Sequence, residues 1–264
     1  MPRFSANLSL LFSERPFLER FAAAAAAGFR AVEFQFPYAF PAREIAQAAS
    51  RAGVEVVLFN LHAGNWEGGE RGIACHPGRV AEFRESISQA MSYAKELDCT
   101  RLNCLAGPVP AGVSRQEARA TLLGNLRHAA AELAAEGLSL MLEAINSRDI
   151  PGFLVDRPSL GLAIMAEADC PNLQLQYDVY HAQIMEGDLA RTLEANLARI
   201  GHIQIADNPG RHEPGTGEIN YPFLFRRLDA LGYGGWVGCE YFPATTTEAG
   251  LGWLKAMQGS CDAF

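Results

Sequence analysis

Several features that this 264-residue chain lacks limit what it does. It has no surplus of positive charge, since 22 Lys and Arg face 30 Asp and Glu for a net charge of −8. Nucleic acid and anionic membrane surfaces both require clustered positive charge, so neither is an expected partner. No apolar run approaches the roughly 18 residues that a membrane span needs. The start, MPRFSANLSLLF, has no long apolar segment followed by a small-residue cleavage site, so no signal peptide is read there. The cysteines (Cys75, Cys99, Cys104, Cys170, Cys239 and Cys261) include no CxxC pair. Cys104 and Cys239 fall inside apparent core strands, where a free thiol behaves as a small hydrophobe. That pattern fits a reducing compartment and places the protein in the cytoplasm. No Pro/Ser-rich linker or shift of composition marks a boundary, so residues 1–264 read as one domain.

What is present is a regular alternation. Hydrophobic residues make up 49% of the chain and charged ones 20%, enough for a sizeable core. Short apolar runs predict strands over 4–10, 31–36, 54–61, 101–105, 138–145, 173–179, 202–206 and 236–241. Helical patterns fall between and after them, over 16–28, 42–53, 80–97, 114–136, 158–168, 189–200, 222–231 and 247–257. The poly-Ala run 22–27 reads as helix because Ala has the best helix propensity and packs closely on a sheet. Ser114 with Glu117 forms a capping box. Strands alternating with helices imply parallel pairing, and eight such units close into an α/β barrel, the (β/α)8 or TIM barrel. The rival, an open doubly wound sheet, would carry G-x-G-x-x-G after its first strand, and that motif is absent. The loop 62–79 (HAGNWEGGERGIACHPGR) breaks the rhythm, and its aromatic and charged content predicts a lid.

Four polar residues interrupt the apolar strands near their carboxyl ends: Glu143 in LSLMLEAIN, Asp178 in LQLQYDVYH, Gln204 in IGHIQIADN and Glu240 in GWVGCEY. Their separations of 35 (143 to 178), 26 (178 to 204) and 36 (204 to 240) are each close to one βα unit. All four therefore fall at the catalytic mouth of a barrel. Glu240 shares its side of the strand with Gly238, which leaves room beneath it. Any one of these acids could be half of a buried salt bridge or a helix cap. As a set, three carboxylates and an amide converging out of water need neutralising, and a divalent cation does that. Ligation by oxygen alone points to magnesium, with manganese as the alternative, over zinc. Nearby, Arg211 either grips a substrate carboxylate through its planar fork or pairs with Glu213. His181 is expected to hydrogen-bond substrate oxygen or to serve structure. Asn7, Glu33, Asn60 and His62 end strands one to three, and Glu67 and Arg71 in the 62–79 loop are candidates to close over the substrate.

These residues carry a resemblance. FSANLSLLF, VEFQFPY, GERGIACHPGR, LEAIN…DIPGF, YDVYHAQIMEGDL, GHIQIADNPGRHEPGTGEINY and GWVGCEY, spread over residues 3 to about 255, resemble the hydroxypyruvate isomerase family of the xylose-isomerase-like TIM barrels. The resemblance implies interconversion of hydroxypyruvate and 2-hydroxy-3-oxopropanoate with a divalent metal. It makes Glu143 and Glu240 the acid/base pair, and Glu143, Asp178, Gln204 and Glu240 the metal ligands. His181, Arg211, Glu67 and Arg71 are then the candidate substrate contacts. Relatives often read GCEYKP, where this chain has Phe242. A 2-oxotetronate isomerase or a ketose 3-epimerase on the same barrel is the alternative. A DNA-repair endonuclease would need several histidine ligands and a basic face, against six His and a charge of −8 here. The expected partner is thus a small hydroxy or oxo acid, with homo-oligomerisation left open.

Overall fold

The computed structural model describes residues 1–259, and Cys261 lies outside them. Eight parallel strands close into a barrel in chain order: β1 (Arg3–Asn7), β2 (Ala31–Phe34), β3 (Glu55–Asn60), β4 (Arg101–Cys104), β5 (Ser139–Glu143), β6 (Leu173–Asp178), β7 (Ile200–Ile205) and β8 (Trp236–Cys239). The ring is complete because β1 pairs with both β2 and β8. Around it run α1 (Arg20–Ala26), α2 (Ala42–Ala52), α3 (Val80–Glu96), α4 (Arg115–Ala135), α5 (Pro158–Ala168), α6 (Val179–Met185), α7 (Leu189–Asn196), α8 (Tyr221–Ala230), α9 (Thr247–Gly250) and α10 (Gly252–Gly259). The TIM barrel expected from the alternation is the fold. No helix among the described residues is long and apolar enough to cross a membrane.

Local chemistry accounts for the element ends. The Ser114 hydroxyl accepts from the Glu117 amide and caps α4. Gly53 closes α2 in the left-handed region at φ 68, where a Cβ would be strained. In the alanine-rich α1, Phe21 and Ala24 are buried against the sheet. The helix expected over 247–257 is broken into α9 and α10, several strands end one or two residues early, and two further differences shape the site. β1 stops at Asn7 because the chain turns there, with the Leu10 and Leu11 amides both donating to the Asn7 carbonyl. The unforeseen α6 starts immediately after β6, because the Asp178 carboxylate accepts from the Tyr180 and His181 amides and nucleates a helix inside the apparent strand end.

The 62–79 loop is only half a lid. Ile73, Ala74 and Cys75 are buried, and the Cys75 amide donates to the Ala106 carbonyl. Gly72 and Gly107 meet backbone to backbone; a Cβ on Gly107 would lie 2.2 Å from the Gly72 carbonyl oxygen. The part outside the core is the tip around Asn65–Glu70, tied by the Glu70–Arg79 ion pair, whose Trp66 folds against Phe36 at 4.8 Å.

The barrel interior is polar. Glu33 is buried, and its carboxylate accepts from Ser5 Oγ (2.8 Å), Asn7 Nδ2 (3.2 Å) and Gln204 Nε2 (2.7 Å), with His202 Nε2 at 2.8 Å. Burial alone would push its pKa up, but His202 and these donors hold it below the usual carboxylate value. The room beside Gly238 is the room this carboxylate occupies: a Cβ there would sit 2.3 Å from both Glu33 oxygens. Gly238→Ala should therefore force Glu33 out of its donors and cost about 3 kcal/mol, the scale for breaking a buried ion pair. Denaturant unfolding measures this, and a loss below about 0.5 kcal/mol, the level of an ordinary surface change, would show that Glu33 relaxes without losing its partners.

Candidate active site

The four polar residues do converge at the carboxyl end of the barrel. Asp178 pairs in register with Gln204, and Gln204 with Gly238, two residues before Glu240. Glu143 pairs with Gln176, two residues before Asp178. The steps offset one another because the strands tilt, displacing neighbours by about one residue per strand in an eight-stranded barrel of shear eight. Side chains alternate sides, so the displacement is met in steps of none or two.

Each acid is held differently. Glu143 Oε2 accepts from Asn103 Nδ2 at 2.7 Å. Asp178 spends Oδ1 on the α6 cap, and its buried Oδ2 has no hydrogen-bond partner. Helix cap and candidate ligand are thus two oxygens of one carboxylate. Glu240 Oε1 accepts from Gln35 (3.1 Å) and Asn7 (3.2 Å), while Oε2 pairs with Arg211 Nη2 at 3.0 Å. Gln204 lies deeper, its nitrogen donating to Glu33 and its oxygen accepting from Gln176 at 2.6 Å. An amide oxygen has a second lone pair, and Glu33 turns that oxygen away from itself.

The electrostatics follow from crowding. Burial, then repulsion from Glu240 and Asp178, pushes the Glu143 pKa well above its ordinary 4.5. Burial raises Asp178 too, although Arg211 opposes it. Glu240, with the guanidinium alongside, is pushed up by burial to about 7. Burial works against the charge of Arg211, but the three carboxylates outweigh it and keep the guanidinium protonated.

Above this layer opens a cavity of about 610 Å³, with Glu143, Glu240, His181 and Arg211 at its base and Trp66 and Phe242 at its rim. Arg211 adopts a left-handed φ of 54, strained for a side-chain-bearing residue. Its loop holds it there: the Asp207 carboxylate collects the amides of Gly215, Gly217 and Ile219. The guanidinium sits 5.3 Å from the Tyr180 ring and 5.9 Å from that of Phe242. It pairs with Glu240, not Glu213. Arg71 reaches the cavity edge, stacked on Trp66 at 4.2 Å. Glu67 is exposed and faces a neighbouring hollow with His62, so the structure does not bring it into this cavity. Asn60 lines the cavity, whereas Asn7 and Glu33 lie beneath it. Asn103, Asn146, Asp149 and Gln176 were not singled out from the sequence. Asn103 and Gln176 carry the same signal as Glu143, a polar residue at an inward position of an apolar strand.

The donor set fits a hard divalent cation. One ligand atom each from Glu143, Asp178 and His181 lies within 4.8 Å of the others, all buried. The buried Oδ2 of Asp178, within that cluster, lacks a partner, and three carboxylates share one guanidinium. Unpaired oxygens of this kind are what a cation satisfies.

The xylose isomerase-like TIM barrel family model matches residues 21–257. A 2-oxo-tetronate isomerase of Cupriavidus necator is 51% identical over 98% of this chain and 100% of its own. A hydroxypyruvate isomerase of Escherichia coli is 52% identical over 96% and 98%. Among solved structures, one titled AP endonuclease, family 2, from Brucella melitensis superposes with a TM-score of 0.94 at 46% identity, covering 97% and 99%. A 3-keto-D-glucoside 4-epimerase of E. coli superposes at 0.79 with 22% identity over 97% and 99%, a likeness of fold alone.

The raised carboxyl pKa values have a thermodynamic consequence. Between about pH 4.5 and 7 the unfolded chain has shed protons that folded Glu240 retains, so the metal-free protein loses stability as pH rises through this window. Thermal unfolding in chelator should give a Tm that falls from pH 5 to 7.5, and added magnesium should flatten the slope by holding the carboxylates ionised. Identical slopes with and without magnesium, and with manganese in its place, would remove the cation from this site.

Proposed function

The chain belongs to the xylose isomerase-like TIM barrel family and is an isomerase, and we propose that it interconverts hydroxypyruvate and 2-hydroxy-3-oxopropanoate. The observation that carries this reading is the pair of cavity-floor glutamates in unlike environments. Burial and then the neighbouring acids push the Glu143 carboxyl well above its ordinary value, while burial opposed by Arg211 brings Glu240 to about 7. Environments that push two carboxyls apart mark acid and base roles.

The reaction moves one proton between adjacent carbons. Removal of a proton from C3 of hydroxypyruvate leaves an enediolate whose charge falls on the C2 oxygen while the C3 oxygen still holds its proton. Delivery of a proton to C2, with the C3 hydroxyl proton passing to the C2 oxygen, completes the aldehyde. One of Glu143 and Glu240 takes the C3 proton and the other supplies C2, work that contributes about 10²–10⁴-fold. Arg211 presents donors to the substrate carboxylate, its direction fixed by Tyr180, Phe242 and the Asp207-organised loop. His181 lines the same floor. A divalent cation, expected to be magnesium or manganese, held by Glu143, Asp178, Glu240 and the Gln204 oxygen would supply Lewis-acid polarisation of the carbonyl and offset the negative charge. Trp66 and Arg71 at the rim restrict water.

A longer acid, 2-oxotetronate, is the second reading. A cavity of about 610 Å³ exceeds what a three-carbon acid fills, and Phe242 contributes a ring at its mouth. Glu143→Gln and Glu240→Gln should each abolish turnover, by at least about 10²-fold in kcat, while thermal unfolding stays cooperative. Near-normal turnover in either variant removes that residue from proton transfer. Comparing kcat/KM for hydroxypyruvate, 2-oxotetronate and a ketohexose in magnesium-replete protein decides the substrate; a preference for the four-carbon acid overturns the three-carbon assignment.

A further inference from the structure

Asn146, in the turn after β5, is buried and its four polar contacts are all in place. Its carbonyl oxygen accepts from the amides of Arg148 (3.0 Å) and Asp149 (2.8 Å). Its nitrogen donates to Asp149 Oδ2 at 3.0 Å and meets His181 Nδ1 at 2.6 Å. The two backbone donors settle which end of the amide is oxygen, since a flipped amide would set its NH2 against two N–H groups and its carbonyl against the Asp149 carboxylate. An NH2 group has nothing to accept with, so the nitrogen it meets carries no proton. The ring hydrogen is therefore on Nε2, which faces the cavity floor 3.6 Å from the unpartnered Asp178 Oδ2.

We propose that Asn146 is a positioning residue that fixes the tautomer of His181, making it a neutral N–H donor to the reacting oxygens and withholding it from the cation. A ring nitrogen that carries hydrogen has no lone pair for a metal. The three-residue cluster of Glu143, Asp178 and His181 then divides by role: the carboxylates can hold a cation, and the imidazole points a hydrogen into the same space. The arrangement suits an enediolate, whose C2 oxygen gains charge as the C3 proton leaves. Tyr180 supports the assembly from the side, its hydroxyl donating to Asp149 Oδ2 at 3.0 Å.

The kinetic part of this proposal rests on the isomerase reading above; the tautomer itself does not. Nitrogen-15 spectra of histidine-labelled, metal-free and substrate-free protein, with His181 assigned by loss of its signals in His181→Gln, should show an unprotonated Nδ1 and a protonated Nε2. In Asn146→Asp a carboxylate, which only accepts, faces the ring, so Nδ1 should become protonated and kcat should fall about 10–100-fold, the usual effect of losing a group that orients a catalytic-site ligand. Asn146→Ala, which removes the donor without adding an acceptor, should give mixed tautomers and a smaller loss of kcat. A protonated Nδ1 in the unaltered protein overturns the proposal, as does Asn146→Asp with Nδ1 still bare. Should Asn146→Asp fail to fold, the spectrum of the unaltered protein decides alone. Correct spectra with no activity on any of the acids tested would sink the substrate assignment and leave the tautomer standing.

Discussion

Repulsion among carboxylates withdrawn from water is the constraint on which this molecule depends. Glu143, Asp178 and Glu240 are buried at one end of the barrel with Arg211 as their shared counter-charge. Stability alone would not select such a cluster, because desolvated like charges oppose folding. The surrounding architecture distributes donors so that each acid keeps at least one partner: Asn103 for Glu143, the α6 amides for Asp178, and Gln35, Asn7 and Arg211 for Glu240. What is left over, the bare Asp178 Oδ2 above all, is the part of the problem that protein atoms do not solve.

Arg211 shows how a loop can be made as rigid as a strand. The Asp207 carboxylate gathers three amides of the following turn, the Asp207 amide donates to the His212 carbonyl at 2.8 Å, and the Phe242 amide donates to the Arg211 carbonyl at 2.9 Å. These bonds hold a non-glycine residue at positive φ and send its guanidinium back across the barrel mouth to Glu240. Backbone strain of this sort is expected where a side chain must be aimed.

The alternation of elements was legible because its period is local: α5 was placed to the residue, with Pro158 marking its first turn. The site acids were legible for a related reason, since a charge inside an apolar strand stands out from its neighbours. Contacts made by closure of the barrel were not. The partners of Glu33 come from β1 and β7, up to 171 residues away, so sequence placed it on a strand end without showing what held it. The gap beside Gly238 was visible, but not that Glu33 fills it. α6 was hidden because Asp178 ends a strand and caps a helix at once. Asn146 and His181 are 35 residues apart and meet only because β5 and β6 are neighbours.

Asn7 touches both Glu33 Oε1 and Glu240 Oε1, each at 3.2 Å. One amide thus joins the barrel's structural polar network to its reactive end. Nothing greasy separates the two, as it would in a barrel packed with aliphatic layers. For anyone altering substrate range by mutation, the floor and the mouth form a single unit: Glu33, which does not line the cavity, acts on Glu240 through its charge and the shared Asn7 amide. Trp66 and Phe242, at the rim, make no side-chain hydrogen bond into that network, but they flank Arg71 and Arg211 and so change the aim of those cations when exchanged.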